Sequence, residues 1–92
     1  MDKGERIMKE FKYVVTDPEG LHARPAGILV KKAAEFQSKI MIDKAGKAAD
    51  AKRILGVMGL GVKKGEEVTI TAEGEDEETA IVALEAFFKE NL

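Results

Sequence analysis

Apolar and polar residues alternate along the chain in short segments with clear changes of period. Phe11, Tyr13 and Val15 alternate with Lys12, Val14 and Thr16, the pattern of a half-buried strand. Asp17-Pro18-Glu19-Gly20 is a turn cluster that ends it. From Ala23 to Phe36 the period becomes helical. Ala26, Leu29, Val30, Ala33 and Phe36 or Gln37 can share one face, with Lys31, Lys32 and Glu35 off it. Pro25 falls in the first turn, where its missing N–H loses no helical bond. Lys39 to Asp43 reads as a strand, Ala45-Gly46 as a two-residue hairpin turn, and 47–50 as a short, poorly alternating strand.

Residues 53–60, RILGVMGL, suit a short, close-packed helix, because each interior Gly costs about 1 kcal/mol against Ala. Val68, Ile70 and Ala72 alternate with Thr69 and Thr71 in a further strand, broken by Gly74 to Asp76. Thr79 to Asn91 form a last helix with Ala80, Ala83, Leu84, Phe87 and Phe88 on its apolar side. Glu75 to Glu78 stand at its start and Lys89 near its end, as the helix dipole favours. The order is β-α-β-β-α-β-α, which predicts an α+β two-layer domain with helices on one face of a sheet. Residues 1–7, MDKGERI, carry no pattern and read as a flexible N-terminal extension. Residues 8–92 read as a single domain.

Composition narrows the function classes. Ninety-two residues are too few for two self-sufficient cores. Fifteen basic against seventeen acidic residues give a net charge of −2, which argues against a general nucleic-acid binder. No apolar run approaches the roughly 20 residues of a membrane span, and no secretory leader opens the chain. There is no Cys and only one His, so no disulfide and no metal site is expected.

Few side chains can do covalent work. Tyr13 shares a face with Phe11 and Val15 and reads as a core aromatic. Ser38 has no base placed to activate it. His22 differs, because it lies between a turn and a helix start in Gly20-Leu21-His22-Ala23-Arg24-Pro25-Ala26. The free N–H groups of a first helical turn bind anions. Arg24 can reach the same anion with its guanidinium. A neutral imidazole here can accept a phosphoryl group, with the helix end and Arg24 stabilising the dianion.

Two segments, GLHARPA and, from residue 51, AKRILGVMGLGVKKGEEVTI, resemble the HPr family, the histidine-containing phosphocarriers of the bacterial sugar phosphotransferase system (PTS). The likeness runs from about Met8 to the end of the chain. It implies an open-faced sandwich, a four-stranded antiparallel sheet with three helices on one face. It also implies a protein that is not an enzyme but a stoichiometric carrier. Such a carrier takes a phosphoryl group from phosphorylated enzyme I and passes it to IIA domains of sugar permeases. By motif match His22 is the acceptor, through Nδ1. Arg24 stabilises the phosphate, as do the backbone N–H groups of Ala23 and Arg24. The implied partner surface is Gly27 and Lys31 on the first helix, with Arg53, Ile54, Leu55 and Met58 on the second. One or two of these last three apolar residues are expected in the core. No cofactor, no nucleic acid and no insertion into a membrane are implied. The expected state is a cytoplasmic monomer.

One residue departs from the pattern. Many Gram-positive members have Ser where Arg53 stands, and that Ser is phosphorylated to couple sugar supply to catabolite repression. Arg53 has no hydroxyl, and no Ser or Thr lies between residues 39 and 68. The regulatory modification is therefore expected to be lost. Arg24, Lys31, Lys32, Lys52 and Arg53 suggest a positive docking face, with the acidic run from Glu73 to Glu78 far along the chain. A regulatory or nitrogen-branch paralogue is the alternative within the family. A small RNA-binding domain is a second, since Gly56-Val57-Met58-Gly59 matches a GXXG loop, although Val-Met offers a phosphate no donor. For an enzyme, no nucleophile with an adjacent base and no paired carboxylates are evident.

Overall fold

The computed structural model describes residues 9–92, and the extension expected at 1–7, with Met8, lies outside the described residues. The elements are β1 (Lys9–Val14), α1 (Ala23–Ala33), β2 (Lys39–Lys44), β3 (Lys47–Asp50), α2 (Ile54–Gly59), β4 (Glu67–Glu73) and α3 (Glu77–Asn91). The strands form one antiparallel sheet in the order β1-β4-β2-β3. The expected element order and architecture hold.

The alternation read in the sequence decides which face is covered. Phe11, Val15, Ile40, Ile42, Val68, Ile70 and Ala72 point into the core, while Glu10, Lys12 and Val14 point to water. From α1 come Ala26, Leu29 and Ala33, and from α3 Ala80, Leu84, Phe87 and Phe88. Phe88 is the hub. The rings of Phe11, Tyr13 and Phe87 each meet it edge-to-face with centroids 5.6 Å apart, an arrangement worth about 1 kcal/mol per pair beyond burial. Tyr13 packs on the core but is only partly buried.

The strand ends move by one or two residues, and the boundaries of all three helices differ from the sequence reading. α1 stops at Ala33 rather than Phe36, because Glu35 and Phe36 donate to Lys32 and Ala33 in tighter i→i+3 bonds. α3 starts at Glu77 rather than Thr79, behind Asp76. The Asp76 carboxylate accepts Gln37 N–H at 2.9 Å, Ser38 N–H at 3.0 Å and the Ser38 hydroxyl, and so ties α3 to the chain beyond α1. Ser38 is buried by this contact. α2 spans 54–59, with Arg53 as its N-cap rather than its first helical residue. The 45–46 turn is a hairpin with positive φ at both residues, as a two-residue turn requires.

Candidate functional site

The His22 loop is fixed from three sides. Asp17-Pro18-Glu19-Gly20 closes as a turn, Gly20 N–H donating to Asp17 C=O at 2.9 Å and Glu19 N–H to the Asp17 carboxylate at 2.8 Å. Asp at the first position, Pro at the second and Gly at the fourth are what such a turn selects. Gly20 has φ +71°, and a Cβ there would lie 2.3 Å from the Val62 carbonyl oxygen. Only glycine lets the loop approach the 62–63 segment closely enough for Leu21 N–H to reach Val62 C=O at 3.0 Å. At the start of the loop, Thr16 and Asp17 donate their N–H groups to Leu92 C=O, at 2.6 and 2.9 Å.

His22 is the N-cap of α1. Its backbone is extended, its C=O accepts Ala26 N–H, and its side chain makes no capping bond, so the ring is free for other work. The N–H groups of Ala23 and Arg24 fall in the first turn, where no intrahelical acceptor exists. Arg24 is exposed and has no ion-pair or hydrogen-bond partner among the described residues. It lines one cleft of about 190 Å³ with Asp17, His22, Pro25, Ile28 and Asn91. The structure thus brings together a partly exposed imidazole, an unpaired guanidinium and a helix N-terminus, the parts that anion chemistry needs.

Two residues beside the ring were not singled out by sequence reasoning. Asp17 Oδ1 lies 3.7 Å from Nε2 and Glu19 Oε1 3.5 Å from Nδ1. The available signal was an acidic turn only three residues ahead of the His. Asn91, at the end of α3, was also missed, since only the tertiary fold brings it to the cleft.

The remaining residues lie on the faces of α1 and α2. Gly27 is partly buried and Lys31 exposed on α1. Ile54, Leu55 and Met58 are exposed at 40%, 84% and 38%, so none of the three joins the core. This corrects the expectation. A six-residue helix turns less than twice, and its one inward position is taken by Val57, 1% exposed. Gly56-Val57-Met58-Gly59 lies inside α2, with Val57 buried, and so is not a phosphate-gripping loop.

The basic residues expected to form a docking face differ in their settings. Arg53 heads α2, whereas Val62, just past the other end, meets the His22 loop. Arg53 thus stands at the other end of α2 from the segment that meets that loop. Lys52 is engaged, donating to Phe36 C=O at 2.8 Å. The acidic run folds back to the same end of α1, where Asp76 holds Gln37 and Ser38. Ser38, by its bond, is the main cause that lowers the Asp76 pKa from 3.8.

Among the described residues no helix is long and apolar enough to cross a membrane. A family model described as "PTS HPr component phosphorylation site" matches residues 9–90. Phosphocarrier protein HPr of Lysinibacillus sphaericus is 49% identical over 83 residues, 90% of this chain and 94% of that protein. A solved structure of the histidine-containing phosphocarrier protein of Mycoplasma superposes with a TM-score of 0.87 at 40% identity, covering 89% of this chain and 93% of the other. The solution structure of Crh, the Bacillus subtilis catabolite repression HPr, gives a TM-score of 0.72 at 38% identity, over 94% of this chain and all of the other.

Proposed function

This chain belongs to the HPr family of PTS phosphocarriers, and on that premise we propose that His22 accepts a phosphoryl group on Nδ1 from phosphorylated enzyme I and delivers it to IIA domains of sugar permeases. The observation that carries this reading is the setting of the chain's one His. Its ring makes no capping bond at the head of α1, and it shares a cleft with an unpaired Arg24.

In the forward step the Nδ1 lone pair attacks phosphorus, and the bond from phosphorus to the donor breaks with its electron pair returning to the donor. The group arrives as a dianion. The N–H groups of Ala23 and Arg24 and the Arg24 guanidinium receive it. In the second step the acceptor's nucleophile attacks phosphorus, and the pair of the N–P bond returns to Nδ1. His22 is restored, so the protein is a stoichiometric carrier rather than an enzyme.

Ile54, Leu55 and Met58, exposed together on α2 with Gly27 and Lys31 on α1, supply a small apolar patch with a polar rim, suited to brief binding of successive partners. Presenting one face to each partner in turn suits a monomer working in the cytoplasm. Arg53 has no hydroxyl, so the regulatory Ser phosphorylation has no acceptor at that position. The likeness to Crh raises a regulatory or nitrogen-branch reading, but a partly exposed His and an exposed Arg in one cleft favour the carrier.

The test is an intact-mass spectrum of the protein with enzyme I, Mg²⁺ and phosphoenolpyruvate, with His22→Ala alongside. One acid-labile phosphate on the wild type and none on the variant is expected. No phosphate with an enzyme I of verified activity would refute the carrier reading.

A further inference from the structure

We propose that Glu19 acts on the phosphoryl group itself: its carboxylate destabilises the phosphohistidine and so makes His22 a readier donor. The inference rests on the reading of His22 as a phosphoryl carrier.

Each nitrogen of the ring faces a carboxylate. The two are held differently. The Asp17 carboxylate accepts Glu19 N–H, and the Asp17 backbone is bonded to Leu92 and Gly20. The Glu19 side chain is 75% exposed, and its one described contact is the ring. Its oxygen lies 3.5 Å from Nδ1, in or beside the space that a phosphoryl group on Nδ1 must enter. Loading the ring therefore sets a dianion against a carboxylate. Arg24 and the helix N-terminus oppose that repulsion. The site thus pairs groups that admit phosphate with one that keeps it from being held too tightly.

Asp17 serves the other nitrogen. When a neutral ring attacks through Nδ1, the proton stays on Nε2 and the ring becomes positive. The Asp17 carboxylate, 3.7 Å away, favours that protonated ring. On transfer the N–P electron pair returns to Nδ1 and the ring leaves neutral, rather than as the far poorer imidazolate leaving group. Two carboxylates and one guanidinium thus set how long the phosphate stays.

The proposal can be tested without enzyme I. Wild type, Glu19→Gln and the distant charge control Glu75→Gln are loaded with potassium phosphoramidate. Decay of the phosphohistidine is followed by ³¹P NMR at one neutral pH. Glu19→Gln keeps the side chain's size on an exposed turn. A unit charge about 5 Å from a dianion, less its attraction to the positive ring 3.5 Å away, predicts in watery surroundings a half-life about twofold longer for Glu19→Gln at low salt. At about 1 M salt, where screening is short-ranged, the difference should shrink several-fold. Glu75→Gln should match the wild type. Equal half-lives for wild type and Glu19→Gln at low salt would overturn the proposal and leave His22 as carrier, as would equal lengthening in Glu75→Gln. Failure of His22 to label in any of the proteins would overturn the reading beneath it.

Discussion

Gly20→Ala should damage the protein in a way that separates close approach from backbone conformation. An L-residue at positive φ costs about 1–2 kcal/mol. The added Cβ would also lie 2.3 Å from Val62 O and 2.8 Å from Lys63 Cα, where ordinary contact begins at 3.4 Å. Both neighbours are backbone, so neither can swing aside as a side chain would. The segments must part by about 1 Å, and the Leu21–Val62 hydrogen bond, worth about 1 kcal/mol net, is lost. The total is about 3 kcal/mol, a large share of the stability of a domain this size. Gly65 is the control. Its φ is +88°, yet nothing lies within 4 Å of its Cβ position, so Gly65→Ala should cost only the conformational part, about 1 kcal/mol. With a urea m-value of about 1 kcal/mol per molar, the midpoint should fall by about 3 M for Gly20→Ala and about 1 M for Gly65→Ala. Function should separate them further. His22 is two residues from Gly20, and a 1 Å misplacement of a reacting group can cost about a hundredfold in rate. Phosphorylation by enzyme I, measured well below the melting temperature, should therefore drop at least tenfold in Gly20→Ala and stay near wild type in Gly65→Ala. Equal urea midpoints for the two variants would show that the approach to Val62 is not what requires glycine at position 20.

Leu55→Ser should leave unfolding within about 0.5 kcal/mol of wild type while weakening binding to enzyme I, whereas the smaller, buried Val57→Ala should cost about 2 kcal/mol. The reverse order in urea melts would refute the assignment of inner and outer faces to α2. Arg53→Glu should slow phosphoryl transfer a few-fold at low salt and hardly at all at high salt, and equal low-salt rates would remove any steering role for Arg53. Asp76 has its pKa lowered from 3.8, first by the Ser38 hydroxyl and then by the Gln37 backbone, so its contribution to stability is full above 3.8 and lost as pH falls through the lower folded value. Urea melts of Asp76→Asn should therefore lie below wild type at neutral pH and converge with it in acid. A gap that persists unchanged at low pH would contradict that linkage.

Most of the fold is legible in the sequence where a local period dictates it. β1 and β4 alternate because one face is core and the other water, with Val14 an exposed apolar exception in β1. What the sequence leaves open is set by partners far along the chain. The start of α3 depends on Asp76 reaching Gln37 and Ser38, 39 and 38 residues away. The exposure of Ile54, Leu55 and Met58 depends on how one short helix sits, and three apolar residues at adjacent or i+4 positions cannot reveal that. Within the site, His22 and Arg24 are evident because the turn and helix start are local. The carboxylates of Asp17 and Glu19 stand out less, since turn residues are ordinarily acidic and only the geometry turns these two toward the ring.

The strand order has a consequence for the life of the newly made chain. β1, the first strand described, pairs only with β4, and the loop that follows it is bonded to Glu66, Gly65 and Leu92. Closing such long loops is entropically slow and cannot begin before the distant partners exist. Until residues 67–92 are made, the first strand lacks its partner β4 and the His22 loop lacks its bonds to Leu92. Under this topology the His22 loop takes its full set of bonds only once the 62–66 segment and Leu92 are in place, so the site is completed late in folding.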